Sequence, residues 1–345
     1  MNILIFLLFS LILLCGRYCL VNSIRVMPKN IAYWYFFILL LIISGFRYNV
    51  GYDYPVYYNH IVESSTWAIE NFEFIPRCFL IASKRLNMPW LFFFLFSFTT
   101  LGLFFTAIKK FSVDTYVSLV IFFTLFFLTS LSSVRQWLAI ALVFYSYKYI
   151  QERSFIKFLF CVVLAGNCHT TAYIAILLYP MFWWIPSNII IFSSLALFFL
   201  HDKLLTLILN ILNLGKYQIY LENMAFSNRG GGKVAFVYYV LIFINLFFYF
   251  YFKLYKKNSD EKRLIAITTF GITFHSMLGT STGLRLAYYF YIFFIVLEPV
   301  VFKRVKEKKF QYIILFCFYL FYLLFLYVDS MNDQGYTRYL FYFLK

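Results

Sequence analysis

The chain has 345 residues, of which 63% are hydrophobic and only 13% are charged, and its formal net charge is +16. A soluble domain of this size cannot keep that balance in water, because its surface requires far more polar and charged side chains. Composition therefore excludes a soluble fold and predicts an integral membrane protein.

The apolar residues fall into runs of about 20, the length that a helix needs to cross a bilayer. Because these runs are apolar on every face, they predict helices rather than the alternating strands of a membrane barrel. We predict an all-α polytopic bundle of about 12 spans, within a range of roughly 10 to 13. Residues 1–345 are expected to form a single transmembrane domain whose first span is not cleaved. In chain order the predicted spans are 2–16, 31–46, 88–108, 115–132, 136–149, 155–167, 170–184, 188–200, 234–252, 264–282, 285–302 and 310–328.

The Lys and Arg residues indicate the orientation of the spans. One set of alternating loops carries 18 of them in short clusters, whereas the other carries 12 spread over longer sequence. Cytoplasmic loops are enriched in Lys and Arg, so the second set is expected outside. Both termini and the long connections, about 47–87 and 201–233, are therefore predicted to be external. Much of the net charge is then a topology signal rather than a nucleic-acid footprint.

The first polar motif follows the second predicted span. It runs from Gly45 to Tyr54 and places Asp53 six positions after Arg47, with Gly51 between them to permit a tight turn. Arg47 and Asp53 are expected either to pair with each other or to bind a ligand. The alternative is an ordinary interfacial cap within a belt of tyrosines.

The second motif interrupts a long apolar stretch at Ser132 and Ser133. An unbroken helix through that stretch would be roughly 54 Å long, which exceeds the bilayer core, so the chain is expected to turn near the serines. Arg135 and Gln136 then fall in the first turn of the next span. A helix N-terminus adds its own positive field there, and the expected partner is an anion.

Two further outer turns carry single polar residues. His169 lies in the break between two short apolar runs, where it is either a helix cap or a proton acceptor near neutral pH. Arg285 opens a later span, and together with Arg135 it suggests a shared anionic ligand. The forked guanidinium suits a pyrophosphate because it makes paired charge-assisted bonds.

Other features are less informative. The external segment with Tyr217 and a run of glycines is either a lid over a site or a plain flexible linker. The six cysteines show no paired spacing and are expected to pack between helices. Nucleotide-binding, metalloprotease and metal-holding D-x-D motifs are missing from the sequence, so we expect neither a cofactor nor a metal.

The spacing of Arg47, Gly51, Asp53 and Tyr57, followed by Arg135-Gln136 and then His169, resembles the EpsG-like, Wzy-type polysaccharide polymerases. The resemblance covers roughly residues 30–300. It implies a GT-C-like membrane glycosyltransferase at the outer face of the bacterial cytoplasmic membrane. Its donor would be a growing glycan on undecaprenyl pyrophosphate, and its acceptor a single lipid-linked repeat unit.

The resemblance also implies roles for individual residues. Arg135 and Arg285, with Arg47 as a third contact, would stabilise the pyrophosphate leaving group. His169 or Asp53 would accept the proton of the attacking hydroxyl, and the sequence does not decide between them. The substrate-contacting residues are expected to be Gln136, Tyr57 and Tyr217.

Two other functions stay open at the level of sequence. A flippase or exporter of lipid-linked oligosaccharides is also basic and many-spanned, although its charges should line a path through the bundle. A membrane acyltransferase or ligase that acts on the glycan is the second. Expected partners are the lipid-linked glycan, membrane lipid and, in the pathway, a chain-length regulator and other polysaccharide proteins, with no nucleic acid. Sugar identity, and whether the product is a capsule, an O-antigen or an exopolysaccharide, cannot be deduced from the sequence.

Overall fold

The structure is a computed structural model that describes residues 29–63, 71–211, 233–257, 259–278, 283–304, 307, 309–314, 316–317, 320 and 340–344. Helices dominate this part of the chain, which confirms the all-α prediction. The chain divides into two compact units. The first contains Met1–Tyr145, Val163–Thr170 and Glu307–Lys345, and the second contains Ser146–Val162 and Thr171–Lys306.

The first unit is built around a long apolar helix that follows a pair of short ones. Its elements are α1 (Lys29–Gly45), β1 (Arg47–Tyr48), α2 (Tyr54–Val62), α3 (Phe74–Arg85), α4 (Pro89–Phe111), α5 (Thr115–Ile121), a π-helical turn (Phe122–Phe127), α6 (Leu128–Ser132), the start of α7 (Val134–Gln151), the end of α8 (Phe155–Gly166) and β2 (Leu340–Phe341). Helix α4 packs against α1 and α3, and its inner face is a row of buried phenylalanines. The strands β1 and β2 pair antiparallel.

The second unit is organised around α12 (Asp260–Leu278), which packs against its neighbours through small and aliphatic residues. Its other elements are a 3-10 helix (Thr170–Leu177), α9 (Leu178–Trp183), α10 (Ser187–Ile211), α11 (Lys233–Tyr251), a short 3-10 turn (Leu254–Lys256), α13 (Leu284–Tyr291) and α14 (Phe294–Arg304). Helices α7 and α8 contribute residues to both units.

Helix boundaries follow local signals in the sequence. The side chain of Asp114 caps α5 by accepting hydrogen bonds from the backbone N–H groups of Tyr116, at 3.1 Å, and Val117, at 3.2 Å. The turn expected near the serines is confirmed, because α6 ends at Ser132 and α7 begins at Val134. Of the cysteines, Cys161 and Cys168 are buried free thiols among the helices.

The membrane-spanning character of the chain is supported by its long apolar helices. Pro89–Phe111 and Thr115–Ser132 are both long and apolar enough to cross a bilayer. The consecutive helices Leu284–Tyr291 and Phe294–Arg304, bent by 51°, bring the number in the described residues to three if they form one broken span. The count of twelve spans and the GT-C-like architecture remain predictions.

Candidate active site

A carboxylate that holds two basic side chains forms the centre of the candidate site. Oε2 of Glu73 accepts a hydrogen bond from the Arg135 guanidinium at 2.7 Å, and Oε1 lies 3.2 Å from Nδ1 of His169. All three residues belong to the first compact unit. Their side chains are 15%, 25% and 20% exposed respectively, so the cluster is partly enclosed and still open to a ligand.

Local structure brings Glu73 and His169 together. Glu73 precedes the first turn of α3 and its carboxylate does not cap that helix, which leaves the side chain free to reach outward. The backbone N–H of Ile75 donates to the carbonyl of Asn167 at 3.1 Å and ties the start of α3 to the turn after α8. His169 follows in that turn, with its own N–H bonded to the carbonyl of Ala165 at 2.9 Å.

Arg135 enters the cluster from the first turn of α7. Its Nε donates to the hydroxyl of Tyr57 at 3.0 Å, and its guanidinium carbon lies 4.6 Å from the centre of the Phe72 ring. These contacts fix the plane of the guanidinium. Within the described residues its second terminal nitrogen has no hydrogen-bond partner, so Arg135 retains donors for an incoming anion.

The cluster keeps Glu73 ionised and Tyr57 neutral. Burial by itself raises the pKa of Glu73, but the hydrogen bond from His169 and the positive charge of Arg135 outweigh it and lower the pKa to about 2. Burial raises the pKa of Tyr57 despite the nearby Arg135 charge. The Tyr57 hydroxyl therefore accepts from Arg135 and keeps its own proton for donation to a ligand.

The contact with Glu73 orients the ring of His169. A carboxylate at Nδ1 favours the tautomer with its proton on that nitrogen, which leaves Nε2 as a proton acceptor. Nε2 has no hydrogen-bond partner among the described residues. Together, the cluster offers a base, a cation with unused donors and a neutral hydroxyl.

Arg47 lies apart from this cluster in a structural setting. Its side chain is 1% exposed and donates to the backbone carbonyls of Ser44, Val50 (3.1 Å) and Leu131 (3.1 Å). The Leu131 carbonyl belongs to the last turn of α6, where helix carbonyls lack partners of their own. This geometry favours a role for Arg47 in holding the α1–α2 connection against the end of α6, over the pyrophosphate contact expected from sequence.

Gly51 in the same motif has a matching structural role. Its φ of +99° is rarely adopted by other residues, and a Cβ there would lie 2.4 Å from the carbonyl oxygen of Leu131. The next residue, Tyr52, donates its N–H to Oγ of Ser132 at 3.2 Å. The R-x-x-x-G spacing is thus explained by the fit of this loop around the break that precedes Arg135.

The other expected site residues lie in several places. Asp53 precedes the first turn of α2, one turn before Tyr57, and its side chain does not cap that helix. Gln136 is buried at 2% exposure beside Arg135. Arg285 is exposed in the first turn of α13 and belongs to the second unit. Tyr217 lies outside the described residues. The expectations for Gln136, Arg285 and Tyr217 stay predictions.

Sequence reasoning did not identify Glu73. It lies in the connection predicted to be external, 62 positions before Arg135 and 96 before His169, so no local spacing links the three. The available signal was a single acidic residue between Phe72 and Phe74 on the predicted outer side. Its negative charge is opposite to that of the candidate arginines.

Comparison with known proteins agrees with the motifs. A family model described as the EpsG family matches residues 30–344, a span that contains Tyr57, Glu73, Arg135 and His169. The family suggested by the motif spacing is thereby confirmed. No curated protein and no solved structure gives a match.

Proposed function

This chain belongs to the EpsG family, and we propose its function from that membership. Membership indicates a membrane protein with a role in polysaccharide polymerisation in general. The more specific proposal is that the chain joins lipid-linked oligosaccharide repeat units at the outer face of the cytoplasmic membrane. The donor glycan is carried on a polyprenyl pyrophosphate, and the acceptor is a sugar hydroxyl of a second lipid-linked unit.

The observation that carries this proposal is the shared carboxylate of Glu73, which holds Arg135 and His169 in one cluster. Glycosyl transfer from a pyrophosphate needs a cation where negative charge develops and a base where a proton is lost. A cluster that places a cation beside a base at an open, partly desolvated position meets both requirements. Glu73 acts as a positioning residue for each.

The proposed step conserves atoms and charge. The acceptor hydroxyl oxygen attacks the anomeric carbon of the donor sugar as the bond from that carbon to the pyrophosphate oxygen breaks. The hydroxyl proton passes to Nε2 of His169, and the leaving polyprenyl pyrophosphate keeps the bonding electron pair. The unused donors of Arg135 stabilise its growing charge, and the Tyr57 hydroxyl donates to a phosphate or sugar oxygen.

Between the two bases expected from sequence, the geometry favours His169. Its ring is oriented by Glu73. Asp53 sits one helical turn before Tyr57 and is assigned to the polar wall of the site rather than to proton transfer. Arg285, exposed at the start of α13, is proposed to bind the pyrophosphate of a lipid-linked substrate.

A deletion strain tests the function. The surface glycan and the undecaprenyl-pyrophosphate-linked sugars are analysed on each side of the membrane, and complementation with the wild-type gene is the control. Single repeat units that accumulate outside support a polymerase. Units trapped on the cytoplasmic side point to a flippase, and an unchanged glycan removes the proposal.

A reconstituted reaction tests the chemistry. Purified protein in liposomes is given lipid-linked repeat units alone, without nucleotide sugar or metal. Polymer and free polyprenyl pyrophosphate are expected together, since each bond formed releases one carrier. A preparation that modifies the units without lengthening them indicates an acyltransferase or ligase instead.

A further inference from the structure

The C-terminal residues of the chain return to the loop that leads into the candidate site. Leu340 pairs with Tyr48 and Phe341 with Arg47 in the β1–β2 ladder. The N–H of Tyr342 extends this pairing by donating to the carbonyl of Phe46 at 2.7 Å. The chain end is therefore fixed beside the segment that continues into α2.

This pairing completes a group of tyrosine rings. The ring of Tyr48 is met at steep angles by the rings of Tyr54, Tyr58 and Tyr342, with centroid separations of 6.0, 5.8 and 6.1 Å. Tyr54 is buried, whereas Tyr48, Tyr58 and Tyr342 are partly exposed. Two neighbouring segments and one distant in sequence, which carries Tyr342, thus contribute partly exposed phenol rings to one surface.

The neighbouring residue, Phe343, packs mainly against apolar rings. Its ring lies 5.4 Å from that of Phe46 and 6.0 Å from that of Trp90, and it is 66% exposed. It also meets the ring of Tyr342, at 5.7 Å. Of these two successive aromatic residues, Tyr342 is the one whose ring meets Tyr48.

We propose that Tyr48, Tyr58 and Tyr342 form a subsite for the glycan, called here the tyrosine wall. The inference rests on the proposed function and names a part of its substrate: the sugars of the glycan beyond the reacting unit. A phenol ring offers an apolar face to the C–H side of a sugar ring and a hydroxyl to its polar edge. That pair of properties suits a saccharide better than an acyl chain.

Continuity with the candidate site supports this occupant. Tyr58 follows Tyr57 directly on α2, and the hydroxyl of Tyr57 accepts the hydrogen bond from Arg135. Successive residues lie about 100° apart around a helix, so Tyr57 and Tyr58 face different sides of α2, and a glycan whose reacting end lies at Arg135 and His169 reaches Tyr58 by passing around this helix. The tyrosine wall would retain the polymer between additions, and so it would set product length without taking part in bond formation.

The length of the polysaccharide product is the measurement that separates glycan binding from catalysis. In a deletion strain complemented with each variant, Tyr342→Ala and Tyr48→Ala are expected to give polymer of shorter average length than wild type. Phe343→Ala is the matched control, because it removes the neighbouring ring, which meets Tyr342 at 5.7 Å, and keeps all three phenol rings of the tyrosine wall; it is expected to keep wild-type lengths. In liposomes, the KM for donor glycans of several repeat units should rise roughly threefold to tenfold for Tyr342→Ala with kcat little changed.

The outcomes separate the subsite from the function. Wild-type polymer length and a wild-type KM for Tyr342→Ala overturn the subsite. Equal losses of polymer length in Tyr342→Ala and Phe343→Ala also overturn it, because they indicate that this segment has only a structural role. If Tyr342→Ala protein is lost from the membrane, Tyr342→Phe and Tyr58→Phe carry the test. A raised KM for the donor glycan in these two variants supports the subsite, and a wild-type value overturns it. Polymer from Arg135→Ala in the same strain would instead overturn the proposed function.

Discussion

Glu73 lies 3.2 Å from Nδ1 of His169, although 96 positions separate the two residues in the chain. The same carboxylate binds Arg135 through its other oxygen. One side chain thus sets the tautomer of a base and the plane of a cation. Its removal should disturb both at once, which distinguishes it from a residue that touches only one of them.

Glu73→Gln is expected to lower the rate of polymerisation on the order of 100-fold or more while the protein remains in the membrane. Glutamine fills the same space, but its amide can donate as well as accept and no longer enforces a proton on Nδ1 of His169. The rate is measured with lipid-linked repeat units in liposomes. Glu63→Gln, an exposed carboxylate at the end of α2, is the control and should retain wild-type activity. Equal activity in the two variants would contradict the role of Glu73.

Arg135→Lys is expected to be nearly as inactive as Arg135→Ala. A lysine cannot reproduce the simultaneous bonds from Nε to Tyr57 and from the terminal nitrogen to Glu73, and it lacks the fork that binds two phosphate oxygens. Polymer in a complemented deletion strain is the measurement. Arg85→Lys, at an exposed position near the end of α3, should leave polymer unchanged. Full rescue by Arg135→Lys would mean that simple positive charge is enough.

Arg285→Ala tests whether the second unit takes part in substrate binding. The residue is exposed in the first turn of α13, so its loss should leave the fold intact. We expect a loss of polymer, seen as a higher KM for the lipid-linked substrate. Lys303→Ala, an exposed basic residue at the other end of the α13–α14 pair, is the matched control. Wild-type kinetics for Arg285→Ala would contradict a role for Arg285 in binding the pyrophosphate.

The folding stability of the protein should depend on pH through ionisation of the Glu73 carboxyl group. The folded protein lowers the pKa of this carboxyl from 4.5 to about 2, so its ionised form stabilises the fold. That stabilisation is complete above about pH 4.5 and is lost as the pH falls towards 2, because the unfolded chain then takes up the proton first. The Tm of wild type should therefore exceed that of Glu73→Gln at pH 7, and the difference should shrink between pH 4.5 and pH 2. A difference in Tm that is constant across this range would contradict the ion-pair geometry.

The sequence predicted the helices and the break before Arg135 because both depend on local properties. Apolar run length defines a span, and two serines at the end of an overlong run predict a turn. The same reasoning selected Arg135 and His169, and the family resemblance added Tyr57, the third of the four residues in the cluster. It did not select Glu73, because nothing in a run of neighbouring residues shows that the start of α3 is bonded to the turn after α8.

Arg47 illustrates the opposite limitation. An arginine at the end of an apolar run is expected to meet an anion, and the sequence offers no sign that three backbone carbonyls take its donors instead. Two of these carbonyls are local, but that of Leu131 lies 84 positions away. Such a partner depends on tertiary packing of α6, which no hydropathy pattern describes.

Gly51→Ala should act by destabilising the fold rather than by removing a substrate contact. The methyl group would lie 2.4 Å from the carbonyl oxygen of Leu131, and the φ of +99° is unfavourable for alanine, together costing about 1–3 kcal/mol. The Tm in detergent should fall by several degrees, with less protein in the membrane. Gly102→Ala in α4 is the control, since a Cβ there meets nothing within 4 Å and alanine favours the helix. A Gly51→Ala protein with wild-type Tm but no polymer would instead place this loop in direct contact with substrate, because the loss would then arise from the site and not from the fold.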